Sequence, residues 1–363
     1  MLPARRPGLS DTTCHSLREL GWRSAFARQL LVERDADRVP VRVLEVHRDK
    51  LRVAGEDTDG LIALPVLAES TNEVDVPTVG DWLLLDRESL HFGRLLDRQS
   101  LFKRRAAGSS SKTQLIAANV DTVFIVSSCN LDFNEARLER YLVLAREAEV
   151  FPVVVLTKAD LCDDPEMYTK RASCLLPSLL VETVNALDLE SVEKLAPFCG
   201  TGQTVALLGS SGVGKSTLVN SLTLSYSAAT GPIREDDDKG RHTTTGRAFF
   251  RLKDGGWLID TPGMREIQLT EAATGIREVF EEIEALAARC RYADCTHVSE
   301  PGCAVRSAIE RCEIEESRLS RWRKLLAEER RNSETLAERR ARDKDFGKLV
   351  RNVMREKTGR RPR

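Results

Sequence analysis

The chain has 363 residues, with 55 Lys or Arg against 56 Asp or Glu and a formal net charge of −1. That length predicts two or three domains, and that balance excludes a global affinity for polyanions. No run approaches about 18 apolar residues, which excludes a membrane span, and nine cysteines without regular pairing point to a reducing cytoplasm, where clustered Cys and His hold metal.

Residues 1–38 are an N-terminal extension, with a short amphipathic helix expected around Ser16 to Leu31 and Leu17, Leu20, Phe26 and Leu30 on its docking face. Residues 39–100 read as all-β. Val41, Val43 and Val46 alternate with polar neighbours, Leu51 and Val53 follow, then Leu61 to Leu64 and Trp82 to Leu85, with turn signals at Asp49-Lys50, Asp59-Gly60 and Gly80-Asp81. Short strands at that spacing predict a small OB-fold-like barrel. Such barrels often bind nucleic acid, and a purely structural barrel suits the pattern equally. Residues 101–115, LFKRRAAGSSSKTQL, read as a mobile basic linker, with Lys103, Arg104 and Arg105 available to phosphates.

Residues 116–275 alternate strands with helices. Apolar runs at 123–126, 153–156, 179–183, 204–208 and 257–259 read as strands, and Asn134 opens a helix with Leu138, Tyr141, Leu142 and Ala145 on one face. This α/β pattern predicts a mostly parallel sheet covered on both faces, with ligands at the carboxyl ends of its strands.

The fourth of those strand ends carries Gly209-Ser210-Ser211-Gly212-Val213-Gly214-Lys215-Ser216-Thr217, a phosphate-binding loop between a strand and a helix. Its glycines let backbone N–H groups face phosphate oxygens, and the helix start adds positive charge. Lys215 would reach the β- and γ-phosphates, and Ser216 would ligate Mg²⁺. The loop alone does not separate a GTPase from an ATPase or a kinase. Thr157-Lys158-Ala159-Asp160 does, because it is similar to the guanine-reading NKxD motif. Asp160 can accept from the ring N–H and the exocyclic amine of guanine, whereas adenine has no amine at the matching position and presents an acceptor at the ring nitrogen. Thr157 stands in the Asn position, and Asn185-Ala186 is a further candidate at the base. Asp260-Thr261-Pro262-Gly263 is similar to DxxG, where Asp260 would hold Mg²⁺ and the Gly263 N–H would sense the γ-phosphate.

Gly240-Arg241-His242-Thr243-Thr244-Thr245 falls where a switch should close, with Thr244 the favoured Mg²⁺ ligand. Met264 follows DTPG and cannot orient a water, so slow intrinsic hydrolysis is expected, stimulated by a partner; His242 is the best candidate to position the water. Ordinary GTPases place the base-reading motif last. Here it comes first, so the domain reads as circularly permuted.

An apolar helical stripe from Ile276 to Ala287 runs into Cys290, Cys295, His297 and Cys303, three thiols and an imidazole within fourteen residues that suit one structural Zn²⁺. Residues 276–330 are read as a helical zinc-binding domain, with Cys312 a buried thiol on the following helix. Residues 331–363 form a basic tail, in which Arg339 to Arg363 holds eleven Lys or Arg against three Asp or Glu, suited to RNA phosphates.

TKAD, GSSGVGKST, GRHTTT, DTPG and the Cys–Cys–His–Cys set, in that order, make the chain resemble the circularly permuted GTPases of small-ribosomal-subunit biogenesis, the RsgA/YjeQ family, over about residues 39 to 330. The resemblance implies a GTPase that binds the immature small ribosomal subunit, is stimulated by it, and leaves after hydrolysing GTP to GDP. It implies that the barrel and the zinc domain grip ribosomal RNA and that His242 is the hydrolytic residue. A cytoplasmic monomer without a membrane partner is expected. Thr157 and the long N-terminal extension depart from the family pattern.

Overall fold

The computed structural model of the chain describes residues 15–64, 76–105, 113–223, 247–260, 269 and 272–333. Within them, no helix is long and apolar enough to cross a membrane.

The helix expected over Ser16 to Leu31 is reduced to α1 (Ser24–Ala27). Gly21, at φ +88°, turns the chain sharply, and a Cβ there would lie 2.7 Å from the Gly202 carbonyl oxygen. Leu20 and Phe26 are buried all the same, and Leu30 is exposed.

Strands β1 (Arg38–Val46), β2 (Lys50–Ala54), β3 (Asp59–Ala63), β4 (Trp82–Asp86) and β5 (Phe92–Leu95) form antiparallel pairs β1–β2, β2–β3, β1–β4 and β4–β5. No pairing between β3 and β5 closes a barrel among the described residues. The ends of the stretch read as a linker are strands instead: β6 (Leu101–Arg105) pairs antiparallel with β7 (Thr113–Ala118). Phe102 and Ile116, buried in the main core, explain why the stretch is ordered there.

The second part is a sheet of β8 (Thr122–Ser128), β9 (Phe151–Thr157), β10 (Leu180–Thr183), β11 (Thr204–Gly209), β12 (Arg247–Arg251) and β13 (Trp257–Asp260), in the order β10-β9-β8-β11-β13-β12. All but β12 run parallel. The apolar runs explain it. Phe124, Val126, Val153 and Val155 face one layer of side chains, and Val123, Ile125, Val154 and Leu156 face the other, so alternate residues fill two cores. The second core lies under α2 (Glu135–Glu147), which Asn134 caps by accepting from the Arg137 N–H at 3.0 Å. Further helices are α3 (Pro165–Ser173), α4 (Leu189–Val192) and α5 (Lys215–Leu222).

β12 also pairs with β1, at Glu45 opposite Ala248 and Val46 opposite Arg247, so the N-terminal strands and the α/β sheet are one continuous sheet.

The apolar stripe after residue 272 forms two helices, α6 (Ala273–Val279) and α7 (Glu281–Ala287), followed by α8 (Ala304–Glu310) and α9 (Glu316–Ser333). α6 presses on α2 so closely that a Cβ at Gly275 would lie 2.4 Å from the Val143 carbonyl oxygen. α9 docks on the same helix through Glu139, which is fully buried and accepts from Arg318 Nη1 at 2.7 Å and Arg321 Nε at 2.7 Å. Cys312 is exposed in a left-handed turn after α8, not buried on a helix.

Candidate nucleotide site and metal centre

Parallel strands point one way, so the carboxyl ends of β9, β11 and β13 share one edge of the sheet. Gly209 ends β11 flush against the next strand: a Cβ there would lie 2.4 Å from the Val126 carbonyl oxygen. Ser210, Ser211, Gly212 and Val213 carry the chain round to Gly214, which caps α5 in the left-handed region at φ +92°. Lys215 opens the helix, and its Nζ donates to the carbonyl oxygens of Gly209, at 2.7 Å, and Ser210. The ammonium thus already sits within the curl of the loop. Ser216 is exposed and Thr217 half-buried in the first turn.

Thr157 ends β9, fully buried. Its Oγ1 lies 2.6 Å from the Val213 carbonyl oxygen and 3.1 Å from that of Ser127. The hydroxyl has one proton, so it donates to one carbonyl at a time, and Val213 is the nearer. The tetrapeptide 157–160 and the phosphate loop 209–217 therefore touch. Lys158 is left-handed at φ +59°, and a single tight turn over Ala159–Leu161 brings Asp160 to the surface. Asp160 has no hydrogen bond or ion pair among the described residues, so its carboxylate is free to accept.

Asn185 and Ala186 follow β10. The Asn185 side-chain oxygen accepts from the Leu187 N–H at 3.0 Å and shapes the turn, and the Ala186 carbonyl accepts from Ser221 Oγ at 2.6 Å. Ser221 is absent from the sequence reading, since nothing local to α5 marks it. Asp260 closes β13 opposite Ala248. Gly263, His242 and Thr244 lie outside the described residues.

The sulfur and nitrogen atoms of Cys290, Cys295, His297 and Cys303 lie within 4.8 Å of one another. His297 Nδ1 is 3.5 Å from Cys290 Sγ and 3.4 Å from Cys303 Sγ, and the two sulfurs are 3.9 Å apart. A tetrahedral Zn²⁺ with bonds of about 2.3 Å to sulfur and about 2.0 Å to nitrogen needs edges of roughly 3.8 and 3.5 Å. The residues fit the ion. Burial, with Arg323 beside it, holds His297 below the usual histidine range, which keeps the imidazole neutral as a ligand must be. Two residues that the spacing does not reveal support the knuckle. Arg323 Nη2 donates to the carbonyl oxygens of Thr296, at 2.8 Å, and His297. The Glu300 carboxylate accepts from the N–H groups of Thr296, Val298 and Ser299 at 2.9, 2.9 and 3.1 Å. The Thr296 hydroxyl, which donates to the same carboxylate, and then these backbone bonds hold it far below the ordinary carboxylate range.

Residues 95–270 match the family model described as RsgA GTPase. The chain is 53% identical over 346 residues to small ribosomal subunit biogenesis GTPase RsgA 2 of Vibrio parahaemolyticus, covering 95% of each chain. It is 49% identical over 321 residues to small ribosomal subunit biogenesis GTPase RsgA of Mesorhizobium japonicum, covering 88% of this chain and 91% of the relative. Among solved structures it is similar to YjeQ from Thermotoga maritima, with a TM-score of 0.56 and 25% identity over 80% of this chain and 98% of that one. YloQ, described as a circularly permuted GTPase, shares the fold with a TM-score of 0.55 at 22% identity, over 83% of this chain and 98% of its own.

Proposed function

The chain belongs to the RsgA GTPase family, and from that premise we propose that residues 157–160 and 209–217 hold one guanine nucleotide for hydrolysis. The protein is a GTPase of small ribosomal subunit maturation. Water attacks the γ-phosphorus, the bond to the β–γ bridging oxygen breaks, and GDP and phosphate leave. The observation that carries the site is the 2.6 Å contact from Thr157 to Val213, which supports one ligand spanning both loops.

The roles follow from chemistry. Asp160 accepts from the ring N–H and the amine of guanine, and Lys158 lies with its stem along the base. Backbone N–H groups of 209–217 face the phosphates, and Lys215 exchanges its two loop carbonyls for phosphate oxygens of higher charge. The exposed Ser216 hydroxyl suits a hard cation, with Thr244 and Asp260 completing the set; bound Mg²⁺ would supply positive charge to the β- and γ-phosphates. His242 positions the attacking water, a task Met264 cannot perform. Zn²⁺ on Cys290, Cys295, His297 and Cys303 is structural. The small subunit stimulates hydrolysis by ordering the switch, and its ribosomal RNA contacts the N-terminal strands, the zinc segment and the tail. The protein works as a cytoplasmic monomer.

GTP turnover measured with and without purified small subunits tests this reading. Turnover is expected to rise manyfold with subunits, and equal rates would sink the partner. ATP displacing GTP at equal concentration would sink the role of Asp160.

A further inference from the structure

Residues 15–23 have no task in the nucleotide reading, yet they are held as firmly as a core element. Ser16 and Glu19 form a reciprocal cap: Ser16 Oγ accepts from the Glu19 N–H at 3.2 Å, and the Glu19 carboxylate accepts from the Ser16 N–H at 2.9 Å. One helical turn follows. Gly21 closes it in the left-handed region, and the Trp22 N–H donates to the Leu17 carbonyl at 2.9 Å. The turn is fixed from outside as well. Gly21 interlocks with Gly202, where a Cβ would lie 2.6 Å from the Arg18 carbonyl oxygen. The buried Arg42 donates to the Leu20 carbonyl at 2.5 Å, and Arg23 donates to Asp121 at 2.5 Å.

This turn grips the hairpin of β12 and β13. Trp257 opens β13 and is buried, and its indole Nε1 donates to the Glu19 carbonyl at 2.7 Å. Arg251 sits opposite Trp257 in the hairpin. It donates to the Glu19 carboxylate at 3.3 Å and lies over the Trp257 ring, 4.9 Å from the centroid. The His15 ring meets the same indole edge-on, with centroids 5.2 Å apart. β1 pairs with β12 at Arg247 and Ala248, and the turn becomes its neighbour at Arg251, where that pairing has ended. Both ends of the hairpin adjoin motif residues in sequence. Gly246 alone separates residues 240–245 from β12, and Asp260, the last residue of β13, opens DTPG.

We propose that Glu19 and Trp257 are positioning residues, through which the N-terminal turn fixes the β12–β13 hairpin and so sets the preference of the site for a nucleoside triphosphate over a diphosphate. This rests on the nucleotide-site reading above. The turn packs at the amino ends of β11 and β13, whereas the phosphate loop begins at the carboxyl end of β11, about 17 Å along the strand. A diphosphate draws its contacts from that loop and from 157–160, away from the turn. A triphosphate also engages the segments at the two hairpin ends. A hairpin already fixed loses little freedom when the γ-phosphate arrives, whereas a loosened one must be ordered at that moment. Weakening the grip therefore penalises the triphosphate selectively.

The test uses the full chain carrying Trp257→Phe, which keeps an aromatic ring but removes the donor, or Glu19→Ala, which removes the cap and the partner of Arg251. Affinities for GDP and for the slowly hydrolysed GTPγS are read by equilibrium titration with Mg²⁺. Each change is expected to weaken GTPγS roughly three- to tenfold and to leave GDP within about twofold. KM for GTP should rise with GTPγS dissociation, and amide exchange within 247–260 should quicken. The proposal is overturned by an unchanged ratio of GTPγS to GDP affinity, or by equal losses on both nucleotides, which would make the turn a support of the fold alone. If Trp257→Phe does not fold, Glu19→Ala, at a side chain 39% exposed, decides on the same ratio. A wild-type chain that bound no guanine nucleotide would sink the site reading itself, and this proposal with it.

Discussion

Asp160 is exposed and free, while Asp35, a residue of similar charge, is buried under arginines, and the two carboxylates respond to opposite experiments. On the proposed reading, guanine donates two charge-assisted bonds to Asp160, each worth roughly 1.5–3 kcal/mol, so Asp160→Ala is expected to cost at least about a hundredfold in GDP affinity, read by equilibrium titration. Asp35 accepts from Arg94 at 2.8 Å and from the Leu31 N–H at 2.9 Å, which brings its pKa down to about 2. The folded state therefore prefers the charged form. That stabilisation is complete above the ordinary value of 3.8 and is lost as pH falls towards 2. Asp35→Asn should flatten the acid-unfolding profile in that window, and an unchanged profile would mean that the pair contributes nothing. Motif residues such as Lys215 and Cys303 could be read from spacing because their partners are neighbours in sequence. The partner of Thr157 is 56 residues away, so nothing local announces it.

At the scale of elements, α2 and α9 are linked across a long stretch of sequence, with Glu139 179 residues from Arg318. Arg318 also donates to Glu282 at 2.8 Å and to the carbonyls of Leu175 and Val279 at 3.0 and 2.7 Å, so every side of its guanidinium is used. Removing one partner of a buried pair strands the other charge, at roughly 3–5 kcal/mol. Glu139→Ala should lower the urea midpoint accordingly. A shift close to zero would show that water replaces the carboxylate. Helix and strand types in the α/β part were legible because periods of 2 and 3.6 persist over many residues there. The helix over Ser16 to Leu31 and the linker were misread for one reason: tertiary contacts, Gly21 against Gly202 and Phe102 in the core, outweighed local composition.

For the whole molecule, motif order alone revealed the permutation, since loop positions in the sheet survive a change of chain order. The coupling of its parts was hidden. Cys303, Val305, Leu319 and Trp322 belong to the same core as Val143 and Ile125, so the zinc segment is no loose appendage. Chelation should therefore open protease cleavage within 288–303 while α6 stays on α2 and GDP binding persists. Loss of GDP binding on chelation would instead place the metal at the heart of the fold.

The pairing of β1 with β12, together with the aromatic cover that Trp22 and Trp82 share in one core with Trp257, carries a practical consequence for anyone trimming the protein. A fragment starting after residue 100 would bare both a raw strand edge and the indole of Trp257, two features that seek another chain. Such a fragment is expected to self-associate, visibly by light scattering, and poor behaviour of an isolated GTPase domain would then report lost cover rather than a defective nucleotide site.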